Sequence, residues 1–296
     1  MVLSLKKYSK DFIPENIKKD IINYKYSFNP SFVSYKNINY LAIRLFETES
    51  KTIISKIYCW DTNNNFTSIN LSEHFLKHSN ISKVADPKLF IMDNSVWCTF
   101  NNGYTIDTNN KIVLFEFINK KIGVNYLCNF NGRARIEKNW AFFKQDKELF
   151  CLYSLSPLKI LKAKSFKETK VEFEEFYENK SSDFTNYSIG TPLVKNDDDF
   201  YFVSHRKFYY KRKRLYLGRP FKLSFNGSQP YLEKSKHLLF HSLKSVLGNK
   251  HKFNKNLISC TYFSGIQKVN DNMVLTYGIN DINWNSVLVK TSKLWR

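Results

Sequence analysis

Several familiar signatures of chemistry are missing from this 296-residue chain. It has no glycine-rich phosphate loop of the P-loop or dinucleotide type. It has no nucleophile elbow and no cluster with zinc-ligand spacing, so neither a metal nor a cofactor is expected. The cysteines are five, Cys59, Cys98, Cys128, Cys151 and Cys260, with no Cys-x-x-Cys pair. An odd count, mostly within apolar strand patterns, predicts reduced and buried thiols rather than a disulfide framework. The opening MVLSLKK holds too few apolar residues before its lysines to read as a signal peptide. No apolar run approaches the length of a membrane helix. The expectation is a cytoplasmic, soluble protein, with a peripheral membrane association left open.

Apolar side chains make up 43% of the chain and aromatics 17%, so a large core is available and disorder is excluded. The formal charge of +20 favours polyanionic partners: nucleic acid, anionic lipid or phosphorylated substrate. Much of that excess is spread evenly as Lys. Its densest run is Lys211-Arg212-Lys213-Arg214, inside a basic stretch over 206–219 that reads as a hairpin. This stretch is a solvated loop or a contact for an anionic membrane surface. Nucleic acid is disfavoured, because the aromatics follow strand periodicity rather than forming an exposed basic-aromatic strip.

One pattern returns five times: a polar elbow, an apolar strand, a turn and a second strand. The elbows are Asn29-Pro30-Ser31, Asp86-Pro87-Lys88, Glu137-Lys138-Asn139-Trp140, Gly190-Thr191-Pro192 and Ser264-Gly265. From Pro30 to Pro87, Trp140, Pro192 and Gly265 the steps are 57, 53, 52 and 73 residues. Hairpins repeating at this period predict an all-β, five-bladed β-propeller spanning 29–296 as one catalytic domain. Residues 1–28 are read as a cap or ring-closing segment, with a helix begun by Pro14 and carrying Ile17, Ile21 and Ile22 inward. Hairpin turns are expected at Lys36-Asn37, Asp93-Asn94, Gln145-Asp146, Asp197-Asp198-Asp199 and Asn270-Asp271-Asn272. A short helix is expected near Leu71–Leu76. His74 and His78 on it have the spacing of a metal pair but no third ligand, and are read as solvated. Residues 229–256 form the long connection behind the last step.

A propeller gathers the equivalent end of every blade around one axis. The elbows therefore bring Asn29, Asp86, Glu137 to Asn139, Thr191 and Ser264 together. The strand ends beyond them add Arg44, Tyr153, Ser154, His205, Arg206, Tyr277, Asn280 and Asp281. Carboxylates and amides that bind hydroxyls, aromatics that stack and cations that hold phosphate suit a sugar. Trp140 is assigned to core packing, and Gly278 to a strand-end turn.

The elbows FNPS, ADPK, IEKNWAFF, GTP and TYGIND, in this order, resemble those of the five-bladed propellers related to β-mannoside phosphorylases and their transferase relatives. The resemblance covers roughly 29–292. Ala85 stands where that family has an acid, and Lys88 where it has Arg. The resemblance implies inverting cleavage or formation of a β-mannosidic bond, with Asp86 as catalytic acid/base. It implies Asn29, Arg44, Glu137, Asn139, Tyr153, Tyr277 and Asp281 as sugar-binding residues. Lys88, Arg135, Lys138, His205 and Arg206 are implied as phosphate-binding.

The expected function is glycosyl transfer of a mannose-like sugar in glycan or polysaccharide assembly. The donor would be a sugar phosphate or nucleotide sugar, and the acceptor a glycan or lipid-linked glycan. The alternatives are an inverting β-mannoside phosphorylase, a glycoside hydrolase pairing Asp86 with Glu137 or Asp281, and a non-catalytic binding propeller.

Overall fold

The computed structural model describes residues 1–247 and 254–295. The chain is all-β and is built from five consecutive antiparallel meanders. The first comprises strands Tyr26–Tyr35, Ile38–Phe46, Ile53–Trp60 and Phe66–Asn70. The second runs Ala85–Met92, Ser95–Asn101, Ile112–Ile118 and Lys121–Phe130. The third runs Ala141–Gln145, Glu148–Leu155, Leu158–Lys167 and Lys170–Asn179. The fourth runs Val194–Asn196, Asp199–Tyr210, Lys213–Asn226 and Gln229–Lys234. The fifth has Leu257–Val269, Asn272–Ile279 and Asn283–Lys290.

Each meander begins just after its elbow or includes it. The turns fall where Asn, Asp and Lys cluster. Lys36-Asn37, Asp93-Asn94 and Asp146-Lys147 each adopt positive φ at both positions, the two-residue hairpin geometry that matches strand twist. The third turn thus lies one residue later than the sequence suggests.

Five apolar clusters fill the spaces between successive meanders. Leu89, Val96 and Phe115 pack on Val33, Tyr40 and Ile57 between the first two. Phe142 and Phe173 meet Phe90 and Leu114 next, and Phe202 and Phe221 meet Leu152 and Ile160 after that. Val203, Phe263 and Leu275 join the fourth to the fifth. Val274 and Leu288 of the fifth pack with Phe32, Leu41 and Ile43 of the first. The order of packing is therefore cyclic.

The pairing does not divide into five separate sheets, as the repeat alone predicts. The described strands form sheets of ten, eight and four. Leu127–Phe130 pairs in parallel with Lys170–Phe173, joining the second and third meanders. Arg214–Tyr216 pairs in parallel with Leu257–Cys260, joining the fourth and fifth. The cause is strand length: these strands run ten to fourteen residues, and edges left unpaired past their own meander find a neighbour's edge.

The first 28 residues lie against both ends of this order. Val2–Ser4 pairs in parallel with Leu238–Phe240, and Ser9 bridges to Val287 of the fifth meander. Helix Glu15–Ile21 follows Pro14 and buries Ile17 and Ile21. Ile22 stays outside at 80% exposure, against the expectation that it points inward. Helix Leu71–Ser79 is capped by the Asn70 side chain, which accepts from the Glu73 amide at 3.2 Å, and it buries Leu71 and Phe75. His74 and His78 lie ring to ring on it, 4.7 Å between centroids. No group of side chains fit to hold a metal is found among the described residues. All five thiols are free and buried, and burial pushes their ionisation upward. Among the described residues no helix is long and apolar enough to cross a membrane. Of the connection 229–256, residues 248–253 lie outside the described residues; the rest forms strands Gln229–Lys234 and Leu238–Phe240 and helix Leu243–Leu247.

Candidate functional site

Three of the five elbows are β-bulges. Register slips between Phe28 and Ser31 in the first meander, and between Ala85 and Lys88 in the second. A third slip separates Phe263 from Gly265 in the fifth. Asn29, Asp86 and Asn139 are left-handed at φ 52°, 51° and 64°. Asn and Asp tolerate that region better than other side-chain-bearing residues, and a bulge re-aims the side chain it carries. At Asn29 and Asp86 the bulge turns the polar side chain out of the alternation of its own strand, and Asn139 stands in the loop just before Ala141–Gln145.

Asp86 is the hub of what converges. Its Oδ1 accepts from Asn29 Nδ2 at 3.0 Å and from Arg44 Nη1 at 2.9 Å. Tyr262 Oη lies 3.5 Å from its Oδ2 and donates to Asn139 Oδ1 at 3.1 Å. Lys88 Nζ donates to Asn139 Oδ1 at 2.8 Å and, more tightly, to the Gly190 carbonyl. His205 Nε2 meets the Phe263 carbonyl at 3.0 Å, and its ring lies 4.2 Å from that of Tyr262. One cluster thus draws on all five meanders and their elbows. Room for Asn29 comes from Gly278, within strand Asn272–Ile279. A Cβ there would stand 2.1 Å from Asn29 Oδ1, so close approach, not a strand-end turn, explains this glycine.

Burial and charge oppose each other at the hub. Burial pushes the Asp86 carboxyl up, but Arg44, Lys138, Asn29 and Lys88 outweigh it and hold the group at about 2. Burial brings Lys88 down to about 7 against the pull of Asp86. His205 falls to about 3, through burial and the charges of Lys88 and Lys207. Asp281 moves the other way: burial and the Asp86 charge raise it, with Arg44 opposing. At neutral pH Asp86 is ionised and His205 is neutral. Three buried polar atoms here have no hydrogen-bond partner among the described residues: Asn29 Oδ1, Arg44 Nε and His205 Nδ1.

The remaining expected residues fall into two groups. Lys138 and Asp281 sit close enough for their charges to act on the hub, and Asn254 Nδ2 reaches Asp281 at 3.4 Å. The others are engaged elsewhere. Glu137 takes the Ala134 amide at 2.6 Å, Trp140 Nε1 at 3.0 Å, Arg133 Nε at 3.4 Å and the Tyr153 hydroxyl, fastening its own loop. Trp140 is core, at 2% exposure. Arg135 donates to the Ile106 carbonyl at 2.7 Å, and Arg206 stacks over Tyr187 at 4.6 Å. Tyr277 is fully buried in an apolar cluster, its hydroxyl on His241 and Asn285. Thr191 and Ser264 bond backbone, at the Val203 amide and the Pro30 carbonyl.

Tyr262 was not foreseen. The bulge between Phe263 and Gly265 breaks the alternation of its strand, so its spacing from Ser264 does not point to it.

A small cavity lies at this centre, and a larger cleft is lined by none of its residues. Asp86, Lys88, Thr99, Asn101, Asn139 and Trp140 line the first, of about 10 Å³, room for about one water. The cleft, of about 730 Å³, lies where the N-terminal segment meets the fifth meander, with Lys10, Tyr24, Lys25, Ser27, Trp284 and Asn285 on its walls. Trp284 is tethered there through its Nε1 to Ser27 Oγ at 3.1 Å. Ser27 precedes Phe28, over whose ring the Arg44 guanidinium sits at 5.0 Å.

No protein-family model and no curated protein sequence matches the chain. Solved structures do. A glycosyl hydrolase from Bacteroides ovatus aligns over 98% of this chain and 91% of its own, with TM-score 0.61 and 12% identity. The β-1,2-mannobiose phosphorylase from Listeria innocua aligns over 92% and 91%, with TM-score 0.60 and 12% identity. A structure from the GH130 family of mannoside phosphorylases, which contains glycoside hydrolases that target β-1,2 mannosidic linkages in Candida mannan, aligns over 98% and 91%. Its TM-score is 0.60 and its identity 11%. The chain has their fold. The resemblance carried by the five elbows holds at that level, across nearly the whole chain.

Proposed function

We propose that the protein is a five-bladed propeller enzyme that transfers a mannose-like glycosyl group, with the Asp86 cluster as its active centre. Five meanders packed in cyclic order, with their elbows in mutual contact, support the propeller reading. One observation carries the activity: two buried or half-buried carboxyl groups, Asp86 and Asp281, whose environments push their pKa values apart. Such a pair is the recurring arrangement for acid/base work at glycosidic bonds. Asp86, ionised, accepts hydrogen bonds or a proton from sugar hydroxyls. Asp281 holds a proton to higher pH than an ordinary carboxyl and would be the group that gives it to a leaving oxygen.

Arg44, Lys138 and Lys88 supply positive charge for phosphate or a phosphate-activated donor. Lys88 is a point charge rather than a bidentate fork, and near pH 7 it is only partly charged, so an arriving phosphate would complete its protonation. The tethered Trp284 and the cleft around it offer the acceptor glycan a stacking surface. Whether the donor is a sugar phosphate, a nucleotide sugar or a mannoside with free phosphate decides between transferase and phosphorylase.

A second reading rests on the tightness of the centre. Tyr262 and Lys88 fill it, leaving only about 10 Å³. A propeller that binds without catalysis would have such a plugged axis. A thermal-shift panel separates the two, run on the wild type and on Tyr262→Ala, which opens the centre. The ligands are mannose 1-phosphate, nucleotide sugars, and phosphate with a β-mannoside. A ligand at a hundred times its Kd adds about 2.7 kcal/mol. Stabilisation of either protein, lost on Asp86→Asn, supports the enzyme. No shift in either protein would leave the binding propeller.

A further inference from the structure

The long hairpin of the fourth meander ends in a feature that the active centre does not use. Tyr209 and Tyr210 are 63% and 64% exposed, directly before the turn Lys211-Arg212 and facing Arg214 and Lys213 across it. Both turn residues are left-handed, at φ 44° and 63°. The other two-residue turns with this geometry, Lys36-Asn37, Asp93-Asn94, Asn119-Lys120 and Asp146-Lys147, each carry at least one Asn or Asp, the residues that tolerate it. This one carries two long cations instead, Lys211 with its Nζ over the Tyr210 ring at 5.4 Å. Lys211, Arg212 and Lys213 are exposed, and none forms an ion pair among the described residues.

A second element extends the same surface. Helix Leu243–Leu247 presents Leu243 and Leu247 at 66% and 79% exposure, with the exposed Lys244 between them. The Ser245 carbonyl accepts from Ser259 Oγ at 2.9 Å, in the strand segment that pairs with Leu215 and Tyr216 of the hairpin. The helix therefore lies beside the hairpin. Asn280 Nδ2 also donates to Ser245 O at 3.1 Å, and the charge of Arg214 acts on Asp281. Exposed tyrosines, leucines and unpaired cations thus adjoin the Asp281 side of the polar centre.

We propose that this surface docks on an anionic phospholipid bilayer. Tyrosine rings suit the headgroup layer, leucines the boundary below it, and lysine and arginine the phosphates. The formal charge of +20 adds attraction at longer range. A hairpin tip with side chains on both faces suits insertion better than it suits a nucleic-acid strand, which needs a groove of successive stacking platforms. Docked this way, the Asp281 side of the centre faces the membrane. On the proposed glycosyl-transfer reading, the substrate class is then a glycan or glycosyl donor carried on a lipid.

Sedimentation with vesicles tests the docking without any turnover. The full chain should bind phosphatidylcholine vesicles containing phosphatidylglycerol, and release as salt rises. It should bind pure phosphatidylcholine far more weakly. Lys211→Glu with Arg212→Glu should weaken binding more than tenfold, since each cation near such a surface is worth roughly a fivefold change. Tyr209→Ser with Tyr210→Ser should weaken it several-fold without lowering Tm. No binding to the anionic vesicles, binding unchanged by both tip variants, or tighter capture of single-stranded RNA lost in the same variants would each overturn the proposal. If docking is found but no ligand ever stabilises the Asp86 centre, the surface stands and only the substrate class falls.

Discussion

Asp86 and Glu137 are both buried carboxylates beside an arginine, both sit at elbows, and the sequence assigns both to the site. Their partners differ in origin. Glu137 is held by Arg133, Ala134, Trp140 and Tyr153, all within its own loop and the adjoining hairpin. Asp86 is held by Asn29 and Arg44 from the preceding meander and faces Tyr262 from the last. A carboxylate satisfied locally fixes a loop. One satisfied only by distant elements, on a left-handed backbone and beside unpartnered Arg44 Nε and Asn29 Oδ1, is the one poised to exchange partners with a ligand. The comparison teaches that elbow chemistry alone does not mark the site. Under the proposed function, the reach of the partners does.

The largest expected effect tests the Asp86 half. Asp86→Asn should lower turnover about 10²–10⁴-fold, the usual range for an acid/base group, measured per folded molecule because Arg44 also loses its ion-pair partner. Turnover within a few-fold of wild type would sink the assignment. Glu137→Ala should do the reverse. It leaves Arg133 and several donors uncompensated, costing about 3–5 kcal/mol in chemical denaturation, while activity per folded molecule stays near wild type. If activity falls in proportion to Asp86→Asn, the contrast between the two carboxylates is gone.

A smaller effect sharpens the Asn29 contact. Gly278→Ala places a methyl group against Asn29 Oδ1, and should cost about 1–3 kcal/mol and weaken ligand binding. Gly227→Ala is the control: its φ of +60° makes it costly by backbone strain, yet nothing stands within 4 Å, so binding should not change. Equal binding in the two variants would show that Asn29 does not need its present position.

Much of this was legible because elbows and turns are local. Asn29-Pro30 and Asp86-Pro87 mark elbows, Leu71–Leu76 reads as a short helix, and Asn, Asp and Lys at turn positions set hairpin register. What the elbows converge on is not local. Tyr262 was hidden among 18 tyrosines and 26 phenylalanines, and the bulge that follows it breaks the alternation that would relate it to Ser264. Arg135 and Arg206 carry the right charge, but the Ile106 carbonyl captures the first across a loop and Tyr187, its cross-strand partner, captures the second. Tyr277 belongs to the inward face of its strand, and its hydroxyl finds His241 in a connection that has no repeat. The merging of five meanders into three sheets follows from strand length past the repeat, which no motif encodes.

The last test reaches the comparison through pH. Lys88 is buried beside Asp86 and has no counterpart near Glu137. Its folded pKa, about 7, lies below the ordinary 10.5, so between these pH values the unfolded chain binds the extra proton. Stability rises with pH wherever the unfolded state holds more protons, so the contribution of Lys88 should improve from about pH 7 towards 10.5. Asp86 has the opposite history. Its folded value, about 2, lies below the ordinary 3.8, so its contribution is present at neutral pH and is lost only as pH falls from about 4 through 2. Denaturation midpoints of wild type and Lys88→Met, compared from pH 7 to 10, should therefore converge or cross as wild type gains relative to the variant. Adding phosphate at pH 8 should raise the wild-type midpoint and leave that of Lys88→Met less affected, because the anion restores a charge that only the lysine can carry. Parallel pH curves for the two proteins would mean that Lys88 stays charged through its bonds to Asn139 and Gly190, and that the centre is cationic before any ligand arrives.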